Sequence, residues 1–280
     1  ACTGGPRLLA TNLIANTVSV ISTATNEVTS TIKVGKEPRG IAVNPMSPTA
    51  YVTNFADDTL SVIDTTTATV IDTIPLAEST VRKGPQGIAV SPDGAKIYVV
   101  NGHANSVSVV NPLTRAITAN IPVGLRPQDI ALTQDGTRAL VTNFGSNSVS
   151  VIDTQTDTAF PMTIPVGKGP DGIATSPLSG STRAYVAHFA ESGGTTFALD
   201  TSMSTTVGDA LILSFQPTKV AFAPDGKRVY ISNFLGDIVS VIDPAANTVL
   251  SSLSVADHPE GIAITPNGKR VYVALYGDNG

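Results

Sequence analysis

The sequence predicts an all-β fold, a β-propeller of four-stranded antiparallel blades, and three observations predict it. A unit of about 44 residues recurs along the chain, each copy reads as four short strands, and no window carries the helical period. Four strands per unit of that length, repeated in series, is the pattern of propeller blades, which leave only short sheet edges exposed.

The repeat is plainest at Tyr51-Val52-Thr53-Asn54. It returns as Tyr98 to Asn101, Leu140 to Asn143, Tyr185 to His188 and Tyr230 to Asn233, with weaker copies at Leu9 to Asn12 and Tyr272 to Leu275. Within one unit, Gly87 to Val90 alternates into Ser91-Pro92-Asp93-Gly94, a turn signal between apolar runs. The strands that follow are Ile97 to Asn101, Val107 to Asn111 and Ile117 to Val123. Lettered A to D, they place the chain's first strand, Arg7 to Asn12, at a B position and its last, Val271 to Tyr276, at another. The count is 25 strands, too many for six complete blades and too few for seven. Seven blades with incomplete terminal ones are favoured over six, in a single domain over 7–280 behind a tail of residues 1–6. An unfinished blade presents unpaired edge groups, so self-association through the terminal blades is expected.

Three motifs recur in step: Tyr51 to Asn54, Ser61-Val62-Ile63-Asp64 (again at Ser150 to Asp153 and Ser240 to Asp243), and Pro85-Gln86-Gly87-Ile88-Ala89. On these residues the chain resembles the YVTN-repeat propellers of bacterial and archaeal surface proteins, over nearly its whole length. The resemblance implies seven blades and a cell-surface setting. It implies no activity, because propellers host many functions.

Composition narrows the function classes. With 14% charged residues and 41% hydrophobic ones, the chain lacks the disordered signature, and 24 Gly and 19 Pro suit a turn-rich globular chain. No apolar run approaches the roughly 18 residues of a membrane-spanning helix. Seventeen basic against 22 acidic residues, net −5, supply no excess to neutralise a phosphate backbone, so nucleic acid is not an expected partner. The single cysteine forms no internal disulfide, and no Cys/His cluster indicates zinc. Few lysines and abundant Thr, Ser and Asn fit an exported protein, placed outside the cell, at its surface or in the periplasm.

Antiparallel order puts the B-to-C and D-to-A connections on one face. Two insertions fall there, within Ala77 to Gly84 and within Phe189 to Thr195, which makes that face the candidate binding rim. Its candidate residues are Arg39, Gln86, Gln128, Asp171 and Glu260, each directly after a blade-opening proline, together with His188, His103, Arg82, Lys83 and Glu191. Thr218 occupies the same post-proline place. His188 departs from the Asn that ends the other B strands, and histidine titrates near neutral pH. It is therefore the first candidate for any chemistry. Asp171 and Glu260 are weak candidates to hold a divalent cation such as calcium, a hard ion that prefers clustered oxygens; otherwise no cofactor is expected. The repeated turn residues Asp93, Asp135, Asp225, Asn267, Asp64, Asp153, Asp200 and Asp243 read as structural. Cys2 is a weak candidate for lipidation.

No Gly-x-Ser-x-Gly elbow, phosphate-cradling loop or haem-attachment motif is present. The expected function is a non-enzymatic extracellular or cell-surface scaffold that binds protein or carbohydrate through the B–C and D–A face. The alternative is a propeller lyase or lactonase that uses His188 with carboxylates at the channel mouth.

Overall fold

The structure, a computed structural model, describes residues 6–76, 82–189, 194–213 and 215–276. Its fold is the all-β propeller of four-stranded antiparallel blades, with 26 strands and no helix among the described residues. The chain packs as two compact units, Ala1–Pro122 and Val123–Gly280.

The first unit holds three sheets. Blade 1 is β1 (Arg7–Asn12), β2 (Thr17–Ser22) and β3 (Glu27–Lys33); blade 2 is β4 (Pro38–Val43), β5 (Thr49–Asn54), β6 (Thr59–Asp64) and β7 (Thr69–Pro75). Blade 3 is β8 (Pro85–Val90), β9 (Ile97–Asn101), β10 (Ser106–Val110) and β11 (Ile117–Pro122). The second unit holds four. Blade 4 is β12 (Pro127–Leu132), β13 (Arg138–Asn143) and β14 (Ser148–Asp153), with an outer strand in two pieces, β15 (Thr158–Ala159) and β16 (Ile164–Pro165). Blade 5 is β17 (Pro170–Thr175), β18 (Arg183–His188), β19 (Thr195–Asp200) and β20 (Thr205–Ile212). Blade 6 is β21 (Pro217–Phe222), β22 (Val229–Asn233), β23 (Ile238–Asp243) and β24 (Thr248–Ser254), and blade 7 is β25 (Pro259–Ile264) with β26 (Val271–Leu275). The extra strand over the expected 25 comes from the break in blade 4, where Pro161 cannot donate to the ladder.

In blades 2–6 the four-residue repeat is buried because the B strand is paired on both edges and packed on both faces. Val52, Val99, Val141, Val186 and Ile231 are all fully buried, and clusters such as Tyr51, Leu60, Val62, Ile97 and Val99 fill the space between successive sheets. The repeated acidic residues fasten turns. Asp64 Oδ1 accepts the backbone N–H groups of Thr66 (2.7 Å) and Thr67 (3.1 Å), and Asp153, Asp200 and Asp243 repeat that geometry. Gly94 takes a φ of +69° to close the Asp93 turn, a conformation that costs glycine nothing.

The repeated asparagine ends the B strand and ties it to the C strand. Asn54 Nδ2 donates to Thr59 Oγ1 and to Ser61 Oγ, both at 2.9 Å, and Asn12, Asn101 and Asn143 donate to the equivalent hydroxyl pairs.

Candidate functional site

Each inner strand opens with a bulge. In blade 2, Pro38 pairs with Asn54 and Ile41 with Val52, so Arg39 and Gly40 together face the single residue Thr53. Bulges re-aim side chains and concentrate next to functional sites. The Thr53 hydroxyl fixes this one: it accepts the Gly40 N–H at 2.8 Å and donates to Gln86 O of the next inner strand at 2.6 Å. Thr142 does the same between Asp129 N (3.0 Å) and Asp171 O (2.6 Å), and Ser232 between Lys219 N (3.1 Å) and Glu260 O (2.7 Å).

Glycine fills the second bulge position wherever the next strand crowds it. A Cβ at Gly40 would lie 2.5 Å from Gln86 O, and one at Gly172 would lie 2.2 Å from Thr218 O. In blades 4 and 6 that position is Asp129 and Lys219. The two departures meet: Lys219 Nζ lies 3.3 Å from Asp129 Oδ2 and 3.2 Å from Asp171 Oδ1. Their side chains are 31%, 20% and 21% exposed, so the cluster is mostly enclosed yet reached by solvent.

Its charges act on one another. Burial pushes the Asp129 carboxyl above the ordinary carboxylate range; the Lys219 ammonium opposes that shift and the Asp171 charge reinforces it. Burial works against the ammonium of Lys219, but Asp129, Asp171 and Glu260 outweigh it and hold its pKa above the ordinary value. Two carboxyl groups on one ammonium leave acceptor capacity for a hydrogen-bond donor, with Lys219 as the local donor.

The first unit gathers different groups. Arg39 Cζ sits 3.9 Å from the Phe55 ring centroid while its Nη1 donates to Gln86 Oε1 at 2.9 Å, and the His103 ring meets the same Phe55 edge-on at 5.0 Å. Arg82 Nη2 donates to Ala56 O at 2.9 Å and lies 3.8 Å, through Nε, from Asp58. Lys83 Nζ donates to Asn120 Oδ1 at 2.9 Å. Five of the residues expected on the rim, Arg39, Gln86, His103, Arg82 and Lys83, therefore surround or flank Phe55 and its loop.

Several expectations come out differently. His188 is fully buried, its Nδ1 at 3.2 Å from Thr195 O and its ring edge-on to Phe197 at 5.2 Å. It ends a B strand as the asparagines do and is not presented at the rim, because the ring fills the slot an asparagine amide fills elsewhere. Asp171 already holds an ammonium, and among the described residues no group of three or more His, Cys, Asp or Glu is placed to hold a metal ion. Gln128 is half-buried and Glu260 is exposed. His258 packs on Phe234 at 4.8 Å. Glu191 and Cys2 lie outside the described residues. Asp129 and Lys219 were not singled out from the sequence; the signal was the loss of glycine from the Pro-x-Gly motif.

Among solved structures, the chain is similar to hydrazine synthase from Kuenenia stuttgartiensis, with a TM-score of 0.85 and 21% sequence identity over 96% of this chain and 89% of that one. At that identity the likeness shows the fold. No curated protein matches the sequence. No helix among the described residues is long and apolar enough to cross a membrane. A family model described as lactonase, 7-bladed beta-propeller matches residues 8–163, more than half of the sequence. The chain belongs to this family of seven-bladed lactonase-type β-propellers.

Proposed function

We propose that the protein is a non-enzymatic binding propeller of the cell surface or extracellular space, which holds a protein or carbohydrate ligand at its inner-strand bulges. The observation that carries this reading is the replacement of glycine by Asp129 and Lys219, which builds a three-charge cluster with Asp171 where the repeat otherwise keeps the position empty. Ligand hydroxyl or amide groups would donate to the carboxylates and accept from Lys219. The likeness of its motifs to YVTN-repeat surface propellers, together with low charge and abundant Thr, Ser and Asn, supports the surface setting. The test is a glycan array and a surface-protein binding screen run with the wild type and with Lys219→Met. A ligand held by the wild type and lost in the variant is the expected result, and identical profiles would overturn the reading.

The family match favours a second reading, lactone hydrolysis. Asp171 would take a proton from the attacking water, Lys219 would stabilise the oxyanion that forms, and Asp129, whose carboxyl burial keeps protonated to higher pH, would give its proton to the ring oxygen as the acyl C–O bond breaks. A lactone turned over by the wild type and not by Asp171→Asn would support it.

A further inference from the structure

A groove of about 520 Å³ opens in the first unit between the end of β3 and the loop, C strand and D strand of blade 2, away from the inner-strand bulges. That volume lies in the range of small-molecule sites. Its walls carry Lys33, Asp57, the hydroxyls of Thr59, Ser61 and Thr73, and the apolar side chain of Val70. Gly35 lines the groove, and a Cβ there would lie 2.5 Å from the Asn54 side chain, so the close approach of Asn54 keeps this position to glycine.

The hydrogen bonding of the groove is half spent. Thr59 Oγ1 and Ser61 Oγ each accept from Asn54 Nδ2 at 2.9 Å, which leaves their O–H groups to donate. The corresponding groove of blade 3 shows how such groups are satisfied within the chain. There Ser108 Oγ donates to Asn120 Oδ1 at 2.8 Å, and Lys83, from the connection between β7 and β8, donates to the same oxygen at 2.9 Å. Thr73 stands where blade 3 has Asn120, and Lys36, which stands where blade 3 has Lys83, is exposed.

We propose that the blade 2 groove binds a neutral polyol of monosaccharide size. The opposite charges of Asp57 and Lys33 cancel, which disfavours a net charge on the occupant, and the free donor of the half-buried Thr59 takes an acceptor oxygen, whereas Ser61 is only 1% exposed and out of a ligand's reach. A ligand whose hydroxyls both accept from Thr59 and donate to the exposed carboxylate of Asp57, whose Oδ2 also accepts the Lys36 N–H at 2.7 Å, meets both needs, while its apolar ring face lies on Val70. This site is separate from the Lys219 cluster and does not rest on it.

The test is a titration of ¹⁵N-labelled protein with glucose, galactose, mannose and myo-inositol in turn, with chemical shifts followed in the wild type and in Asp57→Asn and Thr73→Val. Both substitutions keep the side-chain volume, and Thr73 is exposed on an outer strand, so the fold is retained. The expected result is saturable shifts at Gly35, Asp57, Thr59, Ser61 and Thr73 with at least one of the four, and affinity weakened about tenfold or more by each substitution. No saturable shift with any of them, or shifts that persist unchanged in both variants, would overturn the proposal. Neither outcome depends on Lys219.

Discussion

The inner strands of the two units use one backbone device for opposite ends. In the first unit the bulges of blades 2 and 3 carry Gly40 and Gly87, and at Gly40 the chain next to it occupies the space a side chain would need. In the second unit two of the four bulges carry Asp129 and Lys219, and their side chains reach each other across the inner strand of blade 5. The backbone pairing is the same in both, with a register shift between the opening proline and the isoleucine or valine three residues on. The difference teaches where this repeat tolerates chemistry. The opening proline and the register shift recur at every bulge whether or not the B strand supplies a hydroxyl, so the residue at the second position is set by the room beside it and not by the turn.

The largest effect follows at the glycines. Gly172→Ala puts a Cβ against the Thr218 carbonyl, a backbone atom that cannot rotate away, and is expected to cost about 3 kcal/mol in urea unfolding. Gly261→Ala, whose Cβ would meet only the Ala274 methyl at 3.3 Å, is expected to cost less than about 1 kcal/mol. Equal costs would break the comparison.

Next comes the cluster. Lys219→Met leaves two mostly enclosed carboxylates facing each other; allowing for the solvent that reaches them, a loss of about 2 kcal/mol at neutral pH is expected. The B-strand hydroxyl follows. Thr142→Val keeps the shape but strands the Asp129 N–H and the Asp171 carbonyl, at a cost of about 1.5 kcal/mol. Blades 3 and 5 carry Val100 and Ala187 at this place, so the bond strengthens the bulge without being required for it.

The smallest effect has a sign of its own. Because burial raises the Asp129 pKa, the folded state binds that proton more tightly than the unfolded one, and ionised Asp129 opposes folding at neutral pH. Asp129→Asn is therefore expected to gain up to about 1 kcal/mol at neutral pH, a gain that shrinks on acidification and is gone below the ordinary carboxyl value of 3.8. Stability curves of wild type and variant that stay parallel across this range would contradict the assignment.

The repeat made the blades, their order and the turn-fastening role of the acidic residues legible in the sequence, since each rests on a local pattern that recurs. The count of 25 strands takes the outer strand of blade 4 as one, whereas Pro161 removes the donor that would hold it together. The site was half legible. Asp171 and Glu260 stood out as charged residues after the opening prolines, and Arg39 and Gln86 came together as neighbours on adjacent inner strands. Asp129 and Lys219 carry no repeated signal of their own, and only the glycine missing from Pro-x-Gly marks them in the sequence. His188 drew notice as the odd residue in a row of asparagines, yet the row is buried, and an exception inside a packed row inherits the packing.

The Lys219 cluster is proposed to bind a ligand without turning it over. The most direct measurement is the hydrolysis rate of a series of five- and six-membered lactones by the purified protein and by Asp171→Asn. The account predicts that both proteins leave every lactone at its spontaneous rate; a rate above background that Asp171→Asn abolishes would contradict it.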